Sequence, residues 1–257
     1  EIRDVREMGI QVAVVIGGTS GIGLEAARLF ARRGYHVVVG SRRAADADAD
    51  FERLDGVTYL GLDVTDPESV ASFAAATWES SFGVDAVVVS SGVAPAPAPA
   101  GRLDDAELSR CVETNLTGAM RAVNALLPQV RNDGKVVLLS SILGRIPLMG
   151  NAVYCATKAG LDHFAEALRL ELQRAGRRVS VHDLHPAYVD TPMLEGVKGE
   201  SSKTFLAPIS PQKVVEELAR ILDDKASKGG YMLLRDRAIA GLYRHLPAVF
   251  RGILTAL

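Results

Sequence analysis

Residues 12–23 read Val-Ala-Val-Val-Ile-Gly-Gly-Thr-Ser-Gly-Ile-Gly, and the fold turns on them. The run from Val12 to Ile16 is β-branched without polar alternation, which marks a strand covered on both faces. Glycines follow at 17, 18, 21 and 23. Beyond them Leu24, Ala27 and Ala31 recur at helical spacing, predicting a helix from about Ile22 to Arg33 that Gly34 stops. A glycine turn between a buried strand and a helix allows a tight bend and lets a pyrophosphate approach the backbone. Unpaired N–H groups at the helix start then face that anion. A plain tight turn is the alternative. The stretch lacks the Gly-Lys-Ser/Thr ending of an ATP or GTP loop, so a dinucleotide is the expected ligand.

The same alternation continues outward. Strands are expected at His36–Val39, Thr58–Leu62, Asp85–Val89, Lys135–Leu139, Val179–Leu184 and Tyr231–Leu234. Helices are expected at Pro67–Ser80, Leu103–Val130, Ala152–Arg174 and Pro211–Asp223. Unbroken strand–helix alternation implies an α/β Rossmann fold, a doubly wound parallel sheet of about seven strands with helices on both faces and right-handed crossovers. No linker or internal repeat divides the chain, so residues 1–257 read as one domain. The Pro/Ala stretch Val93–Gly101 reads as an extended surface loop, either a spacer, the favoured reading, or a pocket rim. Pro192–Pro208 has no clear period and reads as a loop or lid. The apolar tail over residues 238–257 reads as helical, with Leu242, Leu246, Phe250 and Leu254 on one face. Its readings run from packing on the domain or another subunit, through lining a pocket, to contact with a membrane surface, the least favoured.

A chain of 257 residues, 48% hydrophobic and 23% charged, has a soluble globular profile. The net charge of −2 gives no bulk attraction for nucleic acid. Cys111 and Cys155 lack metal spacing and form no disulfide framework, so no metal is expected and a reduced, cytoplasmic setting fits. The opening residues lack the apolar core of a signal peptide, and Gln11–Ile16 is too short to span a membrane.

Chemistry gathers further on. Ser141 is followed by Tyr154 and, one helical turn later, Lys158 on the same face. An ammonium ion beside a phenol favours the phenolate, so the tyrosine pKa is expected to fall towards neutrality, suiting proton transfer. Tyr-x-x-x-Lys also occurs in helices that do no chemistry, so its weight comes from the rest of the chain. The second strand ends Gly40-Ser41-Arg42-Arg43, without the acid that accepts from an NAD ribose. A guanidinium there suits a 2′-phosphate, so NADP is expected in preference to NAD.

Gly-x-x-x-Gly-x-Gly at 17–23, Asp63-Val64, Asn115, Ser141, Tyr-x-x-x-Lys at 154–158 and Pro186 through Thr191 stand in order along the chain. With this set the sequence resembles the classical short-chain dehydrogenase/reductase family from about Gln11 to Leu234. The resemblance implies that Tyr154 acts as general acid in carbonyl reduction and base in alcohol oxidation. Lys158 lowers its pKa and holds the nicotinamide ribose, Ser141 orients the substrate oxygen, and Asn115 keeps a water linked to Lys158. It implies a cofactor bed of Gly17, Thr19, Ser20, Gly21, Ile22 and Gly23, then Ser41, Arg42 and Arg43, then Asp63 and Val64 at the adenine. Ser90, Ser91 and Gly92 follow, with Pro186, Val189 and Thr191 at the nicotinamide beside Tyr154 and Lys158.

Three positions depart from the family pattern: Ile16 stands for a threonine, Val89-Ser90-Ser91-Gly92 for Asn-Asn-Ala-Gly, and Ala187 for a glycine. The glycine-rich turn usual after the last strand is also missing. The expected activity is interconversion of a ketone or aldehyde and an alcohol, on a hydrophobic small molecule, by a homodimer or homotetramer. The alternatives are a dinucleotide-binding regulator without turnover, or an epimerase or dehydratase on the same scaffold. His185 reads first as a structural hydrogen-bonding residue near that site.

Overall fold

The first strand, β1 (Val12–Ile16), is buried along its whole length, as its unbroken apolar run requires. It pairs in parallel with β2 (His36–Ser41) on one side and β4 (Val84–Val89) on the other. With β3 (Val57–Gly61), β5 (Val130–Leu139) and β6 (Ser180–Leu184) the sheet has six strands in the order β3-β2-β1-β4-β5-β6, every pair parallel. The structure is a computed structural model that describes residues 9–46, 49–99, 101–197, 207–224 and 234–248.

Strand periodicity sends alternate side chains to opposite faces and so builds two cores. Val14, Ile16, Val38 and Val87 meet α2 (Pro67–Ser81), α4 (Gly118–Leu126) and α5 (Ala152–Arg174) through Phe73, Ala122, Leu161 and Leu168. Ala13, Val15, Val37 and Val88 meet α1 (Gly21–Arg32) and α7 (Pro211–Asp223) through Phe30, Leu218 and Ile221. The chain winds outward from β1 in one direction and then restarts at β4 on the other side. That reversal opens a crevice at the carboxyl ends of β1 and β4, where ligands of such sheets bind.

Several expectations change. The sheet has six strands rather than seven among the described residues. Of the expected strand at Tyr231–Leu234, residues 231–233 lie outside the described ones, and Leu234 opens α8 (Leu234–His245). The long helix expected over Leu103–Val130 is broken. It comprises α3 (Asp105–Val112), a five-residue π turn at Glu113–Thr117, α4 and a 3-10 turn at Leu127–Gln129 started by Pro128, and Val130 already belongs to β5. The first six residues of the expected lid are helical, α6 (Pro192–Val197), because proline suits a first helical turn. Six residues are too few to show a period, and residues 198–206 lie outside the description.

The apolar tail is helical where described, and Ile239, Ala240 and Tyr243 of α8 pack on Ile142 and Ile146. Leu242 and Leu246 are exposed, while Phe250 and Leu254 lie outside the description. Among the described residues no helix is long and apolar enough to cross a membrane.

Candidate active site

The crevice is a cleft of about 390 Å³ running from the β1–α1 turn past the ends of β2, β3, β4, β5 and β6. Every site residue singled out above lines it except Gly23 and Asn115, which lie beneath its surface.

At its outer end the chain bends sharply at Gly17, whose φ is +81°. A β-carbon there would lie 2.7 Å from the backbone nitrogen of Ser91, so only glycine lets the turn approach β4. Helix α1 starts at Gly21 with no side-chain cap from Ser20 and no acid in its first turn. Its first N–H groups therefore face the cleft with their positive dipole end unopposed. Ser91 Oγ, also on the cleft, is buried without a hydrogen-bond partner in the protein. An uncapped helix start, a glycine cradle and an unsatisfied hydroxyl fit a dinucleotide pyrophosphate.

The two arginines after β2 do different things. Arg43 donates from Nη2 to the Thr19 carbonyl at 2.8 Å and from Nε to Thr19 Oγ1 at 3.3 Å, bracing the glycine turn. Arg42 is exposed, and its charge helps lower the Asp63 pKa. Burial would raise that pKa, but the N–H and hydroxyl of Thr65, both bonded to Asp63 Oδ1, outweigh it.

The segment after β4 is held from below. Ser90 N–H donates to the Ile16 carbonyl at 2.8 Å. Asn115, in the π turn, is fully buried. Its Oδ1 accepts from Val93 N–H at 2.7 Å and its Nδ2 donates to the Val93 carbonyl at 2.8 Å. The extra residue of a π turn aims this amide at the loop. These two bonds tie the π turn to the segment that follows β4. Val93 and Ala94 line the cleft, so the Pro/Ala loop begins as a rim.

At the inner end, Ser141 follows β5, and its Oγ accepts from Leu143 N–H at 3.1 Å. Tyr154 and Lys158 come one turn apart from α5, with Lys158 Nζ 5.7 Å from the tyrosine ring centre. Lys158 is 5% exposed, and its Nζ donates to the Leu139 carbonyl at 2.7 Å. The Tyr154 pKa corrects the expectation from the local charge pair. Burial pushes it up to about 12, against the lowering effect of a hydrogen bond with Ser141. Burial likewise brings Lys158 down to about 8, opposed by the charge of Asp162. Desolvation dominates both shifts: Lys158 is buried, and Tyr154 is half-buried at the wall of the cleft. The phenol is therefore protonated throughout the neutral range.

Behind Ser141 and Lys158 lies a buried polar cluster that the sequence reading did not assemble. Asp162, one turn beyond Lys158, accepts from Ser140 Oγ at 2.5 Å and pairs with Arg145 Nε at 3.2 Å. Asp183 accepts from His185 Nε2 at 2.6 Å and pairs with Arg145 at 3.0 Å and with Arg169. Burial would raise Asp183, but His185 and Arg169 hold it well below the usual carboxylate range, whereas burial raises Asp162. His185 Nδ1 faces the Ser141 carbonyl at 3.3 Å, so the structural reading of His185 fits. The i, i+4 spacing of Lys158 and Asp162 was the one available signal.

Residues 11–201 match the short chain dehydrogenase family. A cis-4-hydroxycyclohexanecarboxylate dehydrogenase of Sinomonas cyclohexanicum is 35% identical over 228 residues, 84% of this chain and 91% of that protein. An alcohol dehydrogenase of Thermococcus sibiricus, solved with 5-hydroxy-NADP, superposes with a TM-score of 0.74 at 26% identity, over 87% of this chain and 96% of that one. A short chain dehydrogenase of Burkholderia cenocepacia, solved with NADP, shares the fold with a TM-score of 0.79 at 24% identity, over 95% and 97% of the two chains.

The chain belongs to the short-chain dehydrogenase/reductase family. It is an NAD(P)-dependent oxidoreductase acting on CH–OH and C=O groups.

Proposed function

We propose that the protein reduces a hydrophobic ketone or aldehyde with NADPH. The observation that carries this reading is the meeting of Ser141, Tyr154 and Lys158 at the inner end of a dinucleotide cleft. A phenol protonated at neutral pH can supply the proton that carbonyl reduction needs. The cofactor supplies the hydride. Tyr154 donates the proton to the carbonyl oxygen, Ser141 orients that oxygen, Lys158 holds the ribose and a positive charge beneath it, and Asn115 supports the relay by fixing Val93. Ile142, Leu143, Met193 and Leu194 line the cleft near this end, which suits an apolar substrate. The Sinomonas relative, named as a dehydrogenase of a hydroxylated carbocycle, supports a ring or chain bearing a secondary oxygen. The protein acts as a cytoplasmic homodimer or homotetramer.

A panel of apolar cyclic and acyclic ketones and aldehydes, followed by NADPH absorbance, tests the reading. Turnover of at least one is expected, and inertness towards all would reject it. For the cofactor, Arg42→Ala is expected to weaken NADPH binding about ten- to hundredfold, the value of one charged hydrogen-bonded pair, and NADH binding about twofold or less. Arg43→Ala is expected to weaken both, because Arg43 also braces Thr19. Fluorescence titration with each dinucleotide measures this, and equal losses in Arg42→Ala would remove Arg42 from the 2′-phosphate site.

A further inference from the structure

Three elements meet behind the proton-transfer group. The end of β5 is tied to β6 by Ser140 N–H on the Leu184 carbonyl at 2.9 Å and Ile142 N–H on the Pro186 carbonyl at 3.0 Å. Helix α5 brings Asp162 to the same place, 5% exposed, where Ser140 Oγ–H donates to it. From β6, His185 is 1% exposed and spans Asp183 on one side and the Ser141 carbonyl on the other, with Asp162 3.7 Å from its Nδ1. One carboxylate oxygen each of Asp162 and Asp183 and one ring nitrogen of His185 lie within 4.8 Å of one another. Guanidinium groups close the cluster: Arg145 reaches both aspartates, and Arg169 joins Asp183 to Glu166. A purely apolar contact between β5, α5 and β6 would hold them together at less desolvation cost. Asp162 instead offers a buried carboxylate one helical turn from Lys158 on α5 and a hydrogen-bond acceptor for Ser140.

We propose that Asp162, supported by His185, is a positioning residue for the reaction: it fixes the Ser140–Ser141 backbone and keeps Lys158 charged. The inference rests on the Ser141–Tyr154–Lys158 reading above. Lys158 faces Asp162 from its own helix, Cys111 from α3 and Tyr154, and Asp162 faces Arg145, His185 and Asp183. Asp162 is the carboxylate among the groups opposing the loss of the Lys158 proton.

The test uses the full chain and two variants. Asp162→Asn keeps the shape and removes the charge; Ser140→Ala removes one hydroxyl. In Asp162→Asn the Lys158 titration midpoint, read from its 13Cε NMR signal and assigned with Lys158→Arg, is expected to fall by about one pH unit. With NADPH and the fastest ketone of the panel, kcat in both variants is expected to fall about ten- to hundredfold at a KM within about twofold of the parent, as small misplacements of reacting groups do. The alkaline limb of the Asp162→Asn pH profile should move down with the lysine midpoint. An unmoved midpoint would overturn the electrostatic role, and kcat within twofold of the parent in both variants would overturn the positioning role. A loss of rate that only tracks the folded fraction in thermal melts would also overturn it. The NMR midpoint is independent of turnover, so an inert ketone panel would reject the proposed reaction without deciding this proposal.

Discussion

Replacing Tyr154 by phenylalanine is expected to lower kcat for carbonyl reduction by about two to four orders of magnitude, the usual worth of a positioned general acid. The substitution deletes one hydroxyl and keeps the ring that Lys158 faces at 5.7 Å. NADPH binding should stay within about threefold, because the glycine turn and the arginines after β2 are untouched. The parent's pH profile carries a second sign. Burial brings Lys158 down to about 8, so reduction is expected to be flat below that pH and to fall above it as the ammonium loses its proton. The phenol, pushed up to about 12, stays protonated across that range and does not set the limb. Stopped-flow single turnovers separate the chemical step from dinucleotide release. A Tyr154→Phe enzyme as fast as the parent would remove Tyr154 from the mechanism.

Gly23→Ala is expected to weaken NADPH binding by at least about a hundredfold and to lower stability by about 1–3 kcal/mol, the range for overpacking a filled site. A β-carbon at Gly23 would sit 2.2 Å from the Gly17 carbonyl oxygen and 2.9 Å from its carbon. Both atoms are backbone, so relief requires the turn itself to move. That turn carries the N–H groups offered to the pyrophosphate, so the steric cost and the binding loss have one origin. Gly34→Ala is the control. Gly34 has φ +79° but open space around its β-carbon position. It should cost about 1–2 kcal/mol of backbone strain and leave dinucleotide affinity unchanged. Thermal unfolding and fluorescence titration give both quantities, and normal NADPH affinity in Gly23→Ala would refute the steric reading of the turn.

Much of this architecture is legible in the residue order. Val12–Ile16 had to be a central strand, and the helix beginning at Ala152 and ending at Arg174 has its expected bounds. Apolar runs and helical stripes are local and repeat, so they survive any tertiary context. The break at Glu113–Thr117 is not legible, because a π turn leaves the polar pattern of a helix almost unchanged. It shows only when Asn115 finds Val93, 22 residues away. The short helix at Pro192–Val197 has too few turns for a period.

The site divides in the same way. Ser141, Tyr154 and Lys158 stand out only in company with the glycine turn and the other motifs, and the glycines stand out by their place between strand and helix. Their electrostatics are not legible. A phenol beside an ammonium reads as acidified, yet desolvation raises it, and desolvation is a property of the packed chain rather than of a motif. Asp162, Asp183, Arg145, Arg169 and His185 are unremarkable along the chain and form one cluster only where β5, α5 and β6 converge. The residue order alone determined the strand–helix alternation and the glycine turn, because each depends on neighbours within a few residues, and it marked Tyr154 as the candidate proton-transfer group through the motifs that accompany it. The tertiary structure decided which groups are charged, what braces them and how the two arginines differ, because desolvation and long-range hydrogen bonds exist only once distant segments pack together.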